Sequence, residues 1–349
     1  MSIMREVRGG SWKYSGASVR SSAAVAVVVL LWWHGVAQVK SQRIPALFIF
    51  GDSLVEVGNN NFLRTLLRAN FYPYGIDYSK GPTGRFSNGR SLIDFLANLL
   101  GVPSPPPFAD PTTTGRAIIN GVNFASANGG ILEESGRHYG ERYSLSQQVL
   151  NFQTTLNQLR TMMDADTLRR SNYTTQQFGN LLVNSHIQNM LALYSLGLRK
   201  FFLAGVGPLG CTPNQRARGL APSGRCLDIV NQMVGTFNQG LRSMVDQLNR
   251  NRPDSMFVYG NTYGIFGDML NNPAAYSFSV IDRACCGLGM YQGQITCLPL
   301  LAPCVSRNQY LYWDAFNPSQ SAVYVYAWRV VNGPVNDAYP INLQQMAQL

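Results

Sequence analysis

Apolar positions along most of the chain fall into short runs and helical stripes that alternate. IPALFIF, ending at Gly51, is too short for a helix and reads as a buried strand that stops in a polar loop. Residues 90–100 put Leu92, Ile93, Leu96, Leu99 and Leu100 at helical spacing, and GVPSPPP ends that pattern. Residues 118–125 suggest a second strand, 145–163 a long amphipathic helix and 178–198 another helix. KFFLAGV, residues 200–206, is a strand that runs into GPLGC; 229–248 is again an amphipathic helix and 256–259 a strand. This alternation builds an α/β fold, a parallel sheet covered by helices.

One place breaks it. Between the helix ending near Met163 and the one beginning near Thr175, DADTLRRSNYTTQ holds no apolar run able to form an interior strand. Two helices then follow each other where a crossover unit demands a strand. Periodicity alone leaves two readings open, a lost strand or a helical hairpin that belongs to the fold.

The first forty residues differ from the rest. Arg5, Arg8, Lys13 and Arg20 form a basic leader, residues 23–33 are unbroken apolar, and the small residues of GVAQ offer a cut after Ala37. The pattern predicts a signal peptide over 1–37 and a single domain over 38–349. As a membrane anchor the run is shorter than the ~20 residues a bilayer needs, and His34 interrupts it.

With 46% hydrophobic and 13% charged residues in 349, the chain can fill a large core and is not disordered. Part of the net charge of +10 belongs to the leader and the rest is scattered. With no nucleic-acid motif, a basic surface fits adhesion to acidic cell-wall polysaccharide or a membrane surface, not nucleic acid. Six cysteines, Cys211, Cys226, Cys285, Cys286, Cys297 and Cys304, form an even set suited to disulfides in an oxidising compartment. Adjacent Cys285 and Cys286 do not reach disulfide geometry with each other without strain. The expected pattern joins Cys211 to Cys226 and the CC pair to Cys297 and Cys304, in either order. There is no CxxC pair and no histidine near them, which argues against zinc. The sequon at Asn172 is a glycosylation candidate that accords with secretion.

The loop after the first strand is GDSLVEVGNNN, residues 51–61, with Ser53 where an open α/β sheet presents a nucleophile. Further on come PTGRFSNGRSLIDFLA, GVNFASANGGILEESG, RKFFLAGVGPLGCTPN, ACCGLGMY, YLYWDAF and YPINLQQMAQL. In this ordered set the chain resembles the plant GDSL esterase/lipase family of SGNH hydrolases over nearly everything after the leader. The resemblance implies a flavodoxin-like three-layer α/β/α domain and ester hydrolysis by a Ser-His-Asp triad without metal or cofactor. It casts Ser53 as nucleophile, Asp314 as the acid that orients the base, and the backbone amides of Ser53 and of Ala127 as oxyanion donors.

Three departures from the family pattern stand out. Ala127 occupies a position where many members have glycine; a backbone donor can tolerate this. No GxND motif occurs in the chain, although the family carries it, with a third oxyanion donor, on the strand before the helix that begins near Thr175. Family and periodicity therefore point to one deletion, a parallel sheet lacking a central strand beside the one that bears Ser53. Finally, DAFN puts Asn317 where the family has histidine. An amide holds hydrogen bonds but has no usable pKa near neutrality and cannot accept the serine proton. Of the three histidines, His34 lies in the leader, His138 in a polar loop, and His186 on a helix, expected on its solvent face.

The aromatic cluster Tyr310, Tyr312, Trp313 and Phe316 is expected to pack around Asp314, and Asn59, Asn60 and Asn61 to hydrogen-bond loops near the site. The expected protein is a secreted, monomeric ester hydrolase of cell wall or apoplast by family, with the base and one oxyanion donor absent. The alternatives are a relative that binds ester or glycan ligands without turnover, or an exon-skipped product.

Overall fold

A computed structural model describes residues 2–5, 46–160, 176–219 and 225–349. Strands β1 (Ser2–Arg5) and β2 (Ala46–Ile49) precede helices α1 (Leu92–Leu99), α2 (Leu145–Arg160) and α3 (Gln176–Ser195). Then follow β3 (Lys200–Ala204), α4 (Pro213–Ala217), α5 (Asp228–Asn251), β4 (Met256–Gly260), α6 (Thr262–Asn271), β5 (Val280–Ala284), β6 (Tyr310–Tyr312), α7 (Gln320–Asn332), β7 (Ala338–Tyr339) and α8 (Leu343–Gln348). The main sheet has the order β2-β1-β3-β4-β7, and β5 and β6 form a small parallel pair.

β3 and β4 are parallel, with Lys200 opposite Met256 and Ala204 opposite Gly260. β2 points the same way, because both β2 and β3 run antiparallel to β1 between them. The segment after Asn120 lies along the free edge of β2, but the strand expected over 118–125 is not formed: Ile118 ends a 3-10 turn and Asn123 makes an isolated parallel bridge to Ile49. Leu47 N–H donates to Asn120 O, Ile49 N–H to Val122 O and Phe124 N–H to Ile49 O. Gly121 makes this approach possible: its φ is +111°, and a Cβ there would meet Leu47 O at 2.0 Å.

Helices cover both faces, giving the α/β/α layering. On one face Phe48, Phe50, Phe201 and Leu203 pack with Phe152 of α2, Met190 and Leu193 of α3 and Leu241 and Val245 of α5. On the other, Leu47, Ile49, Phe202 and Val258 pack with Leu92 and Leu96 of α1, Phe266 of α6 and Tyr326 of α7. Successive strand residues alternate between the two cores, the period-2 signature of a sheet buried on both sides.

The position between the strand leading to Ser53 and β3, where the sequence reading expects a vacancy, is filled. Ser2–Arg5 occupies it, antiparallel, with Ser2 opposite both Ile49 and Phe202. Two interior edges with unpaired N–H and C=O groups would be costly, and four leader residues supply partners for their lower part. The rest of the leader, residues 161–175 that carry the proposed deletion, and the Asn172 sequon lie outside the described residues.

Disulfides join Cys211 to Cys226, Cys285 to Cys304 and Cys286 to Cys297, which resolves the order left open for the CC pair. The last two sit in a satellite core with Trp313, Tyr74, Phe86 and Ala127.

Candidate active site

Ser53 lies just past β2, on a turn held from two sides. Gln148 of α2 brackets Gly51, accepting its N–H at 2.8 Å and donating to its carbonyl at 2.8 Å. Asp52 then closes a tight turn: its side chain accepts Leu54 N–H and its carbonyl accepts the amides of Val55 and Glu56. Those bonds use the amides after Ser53 and not that of Ser53 itself. The serine side chain is half-buried at the edge of a cavity of 990 Å³.

Asp314 and Asn317 follow β6 in a second tight turn. Asp314 Oδ1 accepts the N–H groups of Phe316 and Asn317, at 2.9 and 2.8 Å, and Trp313 N–H donates to Asn317 O. Ser319 then caps α7, its hydroxyl accepting Ala322 N–H. The turn leaves Asn317 between the other two residues. Its Nδ2 donates to both Asp314 oxygens at 3.1 and 3.0 Å, and its Oδ1 accepts the Ser53 hydroxyl at 2.9 Å. A carboxylate only accepts, so Nδ2 faces Asp314 and the carbonyl oxygen faces the serine.

The three residues therefore reproduce a triad's connectivity with an amide in place of the imidazole. Asp314 is 1% exposed, and Tyr74 donates to its Oδ2 at 2.7 Å. Burial pushes the Asp314 carboxyl above its ordinary range, while the donors around it pull the other way. Burial and the neighbouring Asp314 charge push the Tyr74 phenol up, so Tyr74 remains a donor. The Tyr74 contact was not expected from the sequence; FYPYG carries no spacing that ties it to Asp314.

Ala127 reaches the cavity wall, but its amide has other partners. It donates to Glu56 Oε2 at 2.7 Å and Asn60 Oδ1 at 3.2 Å, where the family resemblance had it free for an oxyanion. Glu56 is fully buried and also accepts Asn60 N–H; burial pushes its carboxyl up to about 8. The asparagines behave as expected. Asn59 bridges to Asn123 and Ala125, Asn60 to Leu67, Ala127 and Ser126, and Asn61 to Thr83. Trp313 and Tyr312 are buried as core, whereas Phe316 is half exposed on the cavity wall.

The histidines divide. His138 is exposed in its loop, its ring against Tyr139. His186 is not on a solvent face: it is 6% exposed and lines the same cavity as Ser53. Its place was legible in the stripe His186, Met190, Leu193, at i, i+4 and i+7 on the buried side of α3. No hydrogen bond joins either ring to Ser53, whose hydroxyl is held by Asn317. No cluster of three or more His, Cys, Asp or Glu suited to a metal occurs among the described residues, nor a helix long and apolar enough to cross a membrane.

Over most of its length the chain is similar to known proteins. The GDSL-like lipase/acylhydrolase family model matches residues 47–327. One GDSL esterase/lipase of Arabidopsis thaliana is 57% identical over 336 residues, covering 88% of this chain and 90% of the relative. A second from the same plant is 43% identical over 370 residues, covering 94% and 96%. That alignment is longer than the 349 residues of the chain, so this relative carries residues for which the chain has no counterpart.

Proposed function

The chain belongs to the GDSL-like lipase/acylhydrolase family, and from that premise we propose a carboxylic-ester site that binds acyl esters at Ser53 but turns them over only marginally. One observation carries this: the Ser53 hydroxyl donates to an amide oxygen, Asn317 Oδ1. Attack on an ester carbonyl needs a group that takes the hydroxyl proton as the C–O bond forms, and an amide oxygen has no such basicity near neutral pH. Asp314 cannot step in, because Asn317 stands between it and the serine and Tyr74 donates to it from another side.

The rate consequence is large. Loss of the base from a Ser-His-Asp triad lowers kcat by ~10⁴ to 10⁶. An oxyanion donor is worth a further ~10² to 10³, and here the Ala127 amide is engaged by Glu56. The missing GxND motif accounts for another donor. Binding survives these losses, since the cavity and the serine turn are formed.

We further propose that the protein is secreted to the cell wall or apoplast. The leader pattern and three disulfides support that reading; a cut after Ala37 would remove β1, so the secreted form would lack the strand that pairs with β2 and β3 here. A fluorophosphonate probe tests the central reading. We expect Ser53 to label at least ~10⁴-fold more slowly than the serine of a histidine-bearing relative. Labelling at the relative's rate, abolished in Ser53→Ala, would sink it.

A further inference from the structure

Two loop segments that meet beside the satellite core present more apolar surface than folding uses. Residues 57–76 hold two arginines and no carboxylate, and residues 284–306 hold no charged side chain at all. Leu300 N–H donates to Tyr72 O, and the Cys285–Cys304 and Cys286–Cys297 bridges pin the second segment. The inward side chains Leu67, Phe71 and Leu301 already pack with the bridged cysteines, Tyr74 and Trp313.

Other side chains of the same segments face solvent. Leu66 is 83% exposed, Leu300 94% and Val305 92%, and Phe62, Tyr72 and Leu298 are exposed beside them. A single exposed leucine is ordinary; several on two joined, nearly uncharged loops form a surface that calls for a partner. Leu300 goes further. Its φ is +64°, in the left-handed region that favours glycine or asparagine, so a bulky apolar side chain is held outward where a small polar one suits the backbone better. Neither packing nor local conformation accounts for that leucine, whereas a ligand that covers it does.

Charge selects the occupant. Arg64 is exposed and Arg68 half-buried among these leucines, and neither guanidinium has an ion pair among the described residues. Glu141 bonds to this stretch through the Arg64 backbone N–H. Arginines interleaved with outward leucines and aromatics match a bilayer surface, where apolar side chains enter the headgroup boundary and guanidinium groups meet lipid phosphates. A second copy of the chain would instead bring its own arginines against these, a like-charge contact.

We propose that the face formed by residues 62–72 and 298–305 docks on an anionic phospholipid surface, with Leu66, Leu300 and Val305 inserted and Arg64 at the headgroup phosphates. Leu66 and Leu298 also border the Ser53 cavity, so docking turns that cavity toward the lipid. The inference stands apart from how Ser53 behaves toward esters.

The test is flotation of the full chain with vesicles of phosphatidylcholine alone and of phosphatidylcholine mixed with phosphatidylglycerol. Partition onto the mixed vesicles should exceed that onto the neutral ones and fall with added salt. The pair Leu66→Ser and Leu300→Ser, made together, should lower it at least about tenfold, a modest share of two leucine burials. Arg64→Gln should lower it about fivefold, the share of one basic side chain at an anionic surface. Trp328→Ser, which removes a larger exposed apolar side chain from α7, should leave it unchanged; matching thermal melts establish that the variants fold. Equal partition onto neutral and mixed vesicles, or onto neither, overturns the inference. So does binding that survives the leucine substitutions, as insertion of the apolar leader would, or a loss in Trp328→Ser as large as theirs. A dimer seen by analytical ultracentrifugation and abolished by the same leucine substitutions would assign the face to a second copy and overturn it too.

Discussion

Asn317→His puts an imidazole back between Ser53 and Asp314. The two ring nitrogens are spaced much like an amide's nitrogen and oxygen, so Nδ1 can take the Nδ2 contacts to Asp314 and Nε2 can face the Ser53 hydroxyl. Asn317 lines the cavity, so the larger ring has open volume beside it. In an intact triad the returned base would be worth ~10⁴ to 10⁶ in rate. Here it acts on a site whose Ala127 amide is bonded to Glu56 and whose chain carries no GxND motif. Each absent oxyanion donor holds the rate back by ~10² to 10³. The variant's kcat/KM toward p-nitrophenyl butyrate should therefore stay at least ~10² below that of a histidine-bearing relative assayed beside it. What activity it gains should rise with pH through the histidine's pKa, an inflection the parent chain lacks, because only neutral imidazole accepts the proton. A variant that comes within tenfold of the relative would refute the reasoning, since it would mean the oxyanion site is complete without a GxND motif.

Two further outcomes follow from the fold. A chain beginning at residue 38 lacks β1, which pairs with four residues of β2 and three of β3; it should be less stable by a few kcal/mol in urea unfolding, from ladder bonds worth ~0.5–1.5 kcal/mol each. An unchanged midpoint would show that β1 does not hold the sheet. The buried Glu56 carboxyl, pushed up to about 8 by burial, binds its proton more tightly folded than unfolded. Its contribution to stability is full below about pH 4.5 and drains as pH rises toward 8, on the order of a few kcal/mol. Glu56→Gln should flatten that slope in melts taken across pH 5–8, and an identical slope in the variant would assign it to other groups.

Where the fold was legible, strong local patterns carried it. KFFLA is a buried strand because both of its faces are apolar, and α5 is a helix because Leu241, Met244, Val245 and Leu248 form a stripe. Asn317 was readable because DAFN differs from a known pattern at one residue. The expectation of a missing strand came from an interval too polar to sit inside a sheet, and that interval lies outside the described residues. What could not be read was tertiary. Nothing in SIMR marks it as the segment that fills the gap, since four residues carry no periodicity and their partners lie far along the chain. Ala127 and Glu56 stand 71 positions apart, so the bond that withdraws the Ala127 amide leaves no local trace. His186 was misplaced for a different reason: its neighbours Asn184 and Ser185 suggested water, although the residues one and two turns on pointed to the core.

Initial-rate hydrolysis of p-nitrophenyl butyrate by the unmodified chain, measured against Ser53→Ala, is the most direct trial of a serine left without a base. The account predicts that the two proteins are indistinguishable above the buffer rate. Turnover in the range usual for esterases, present in the parent and gone in Ser53→Ala, would contradict it.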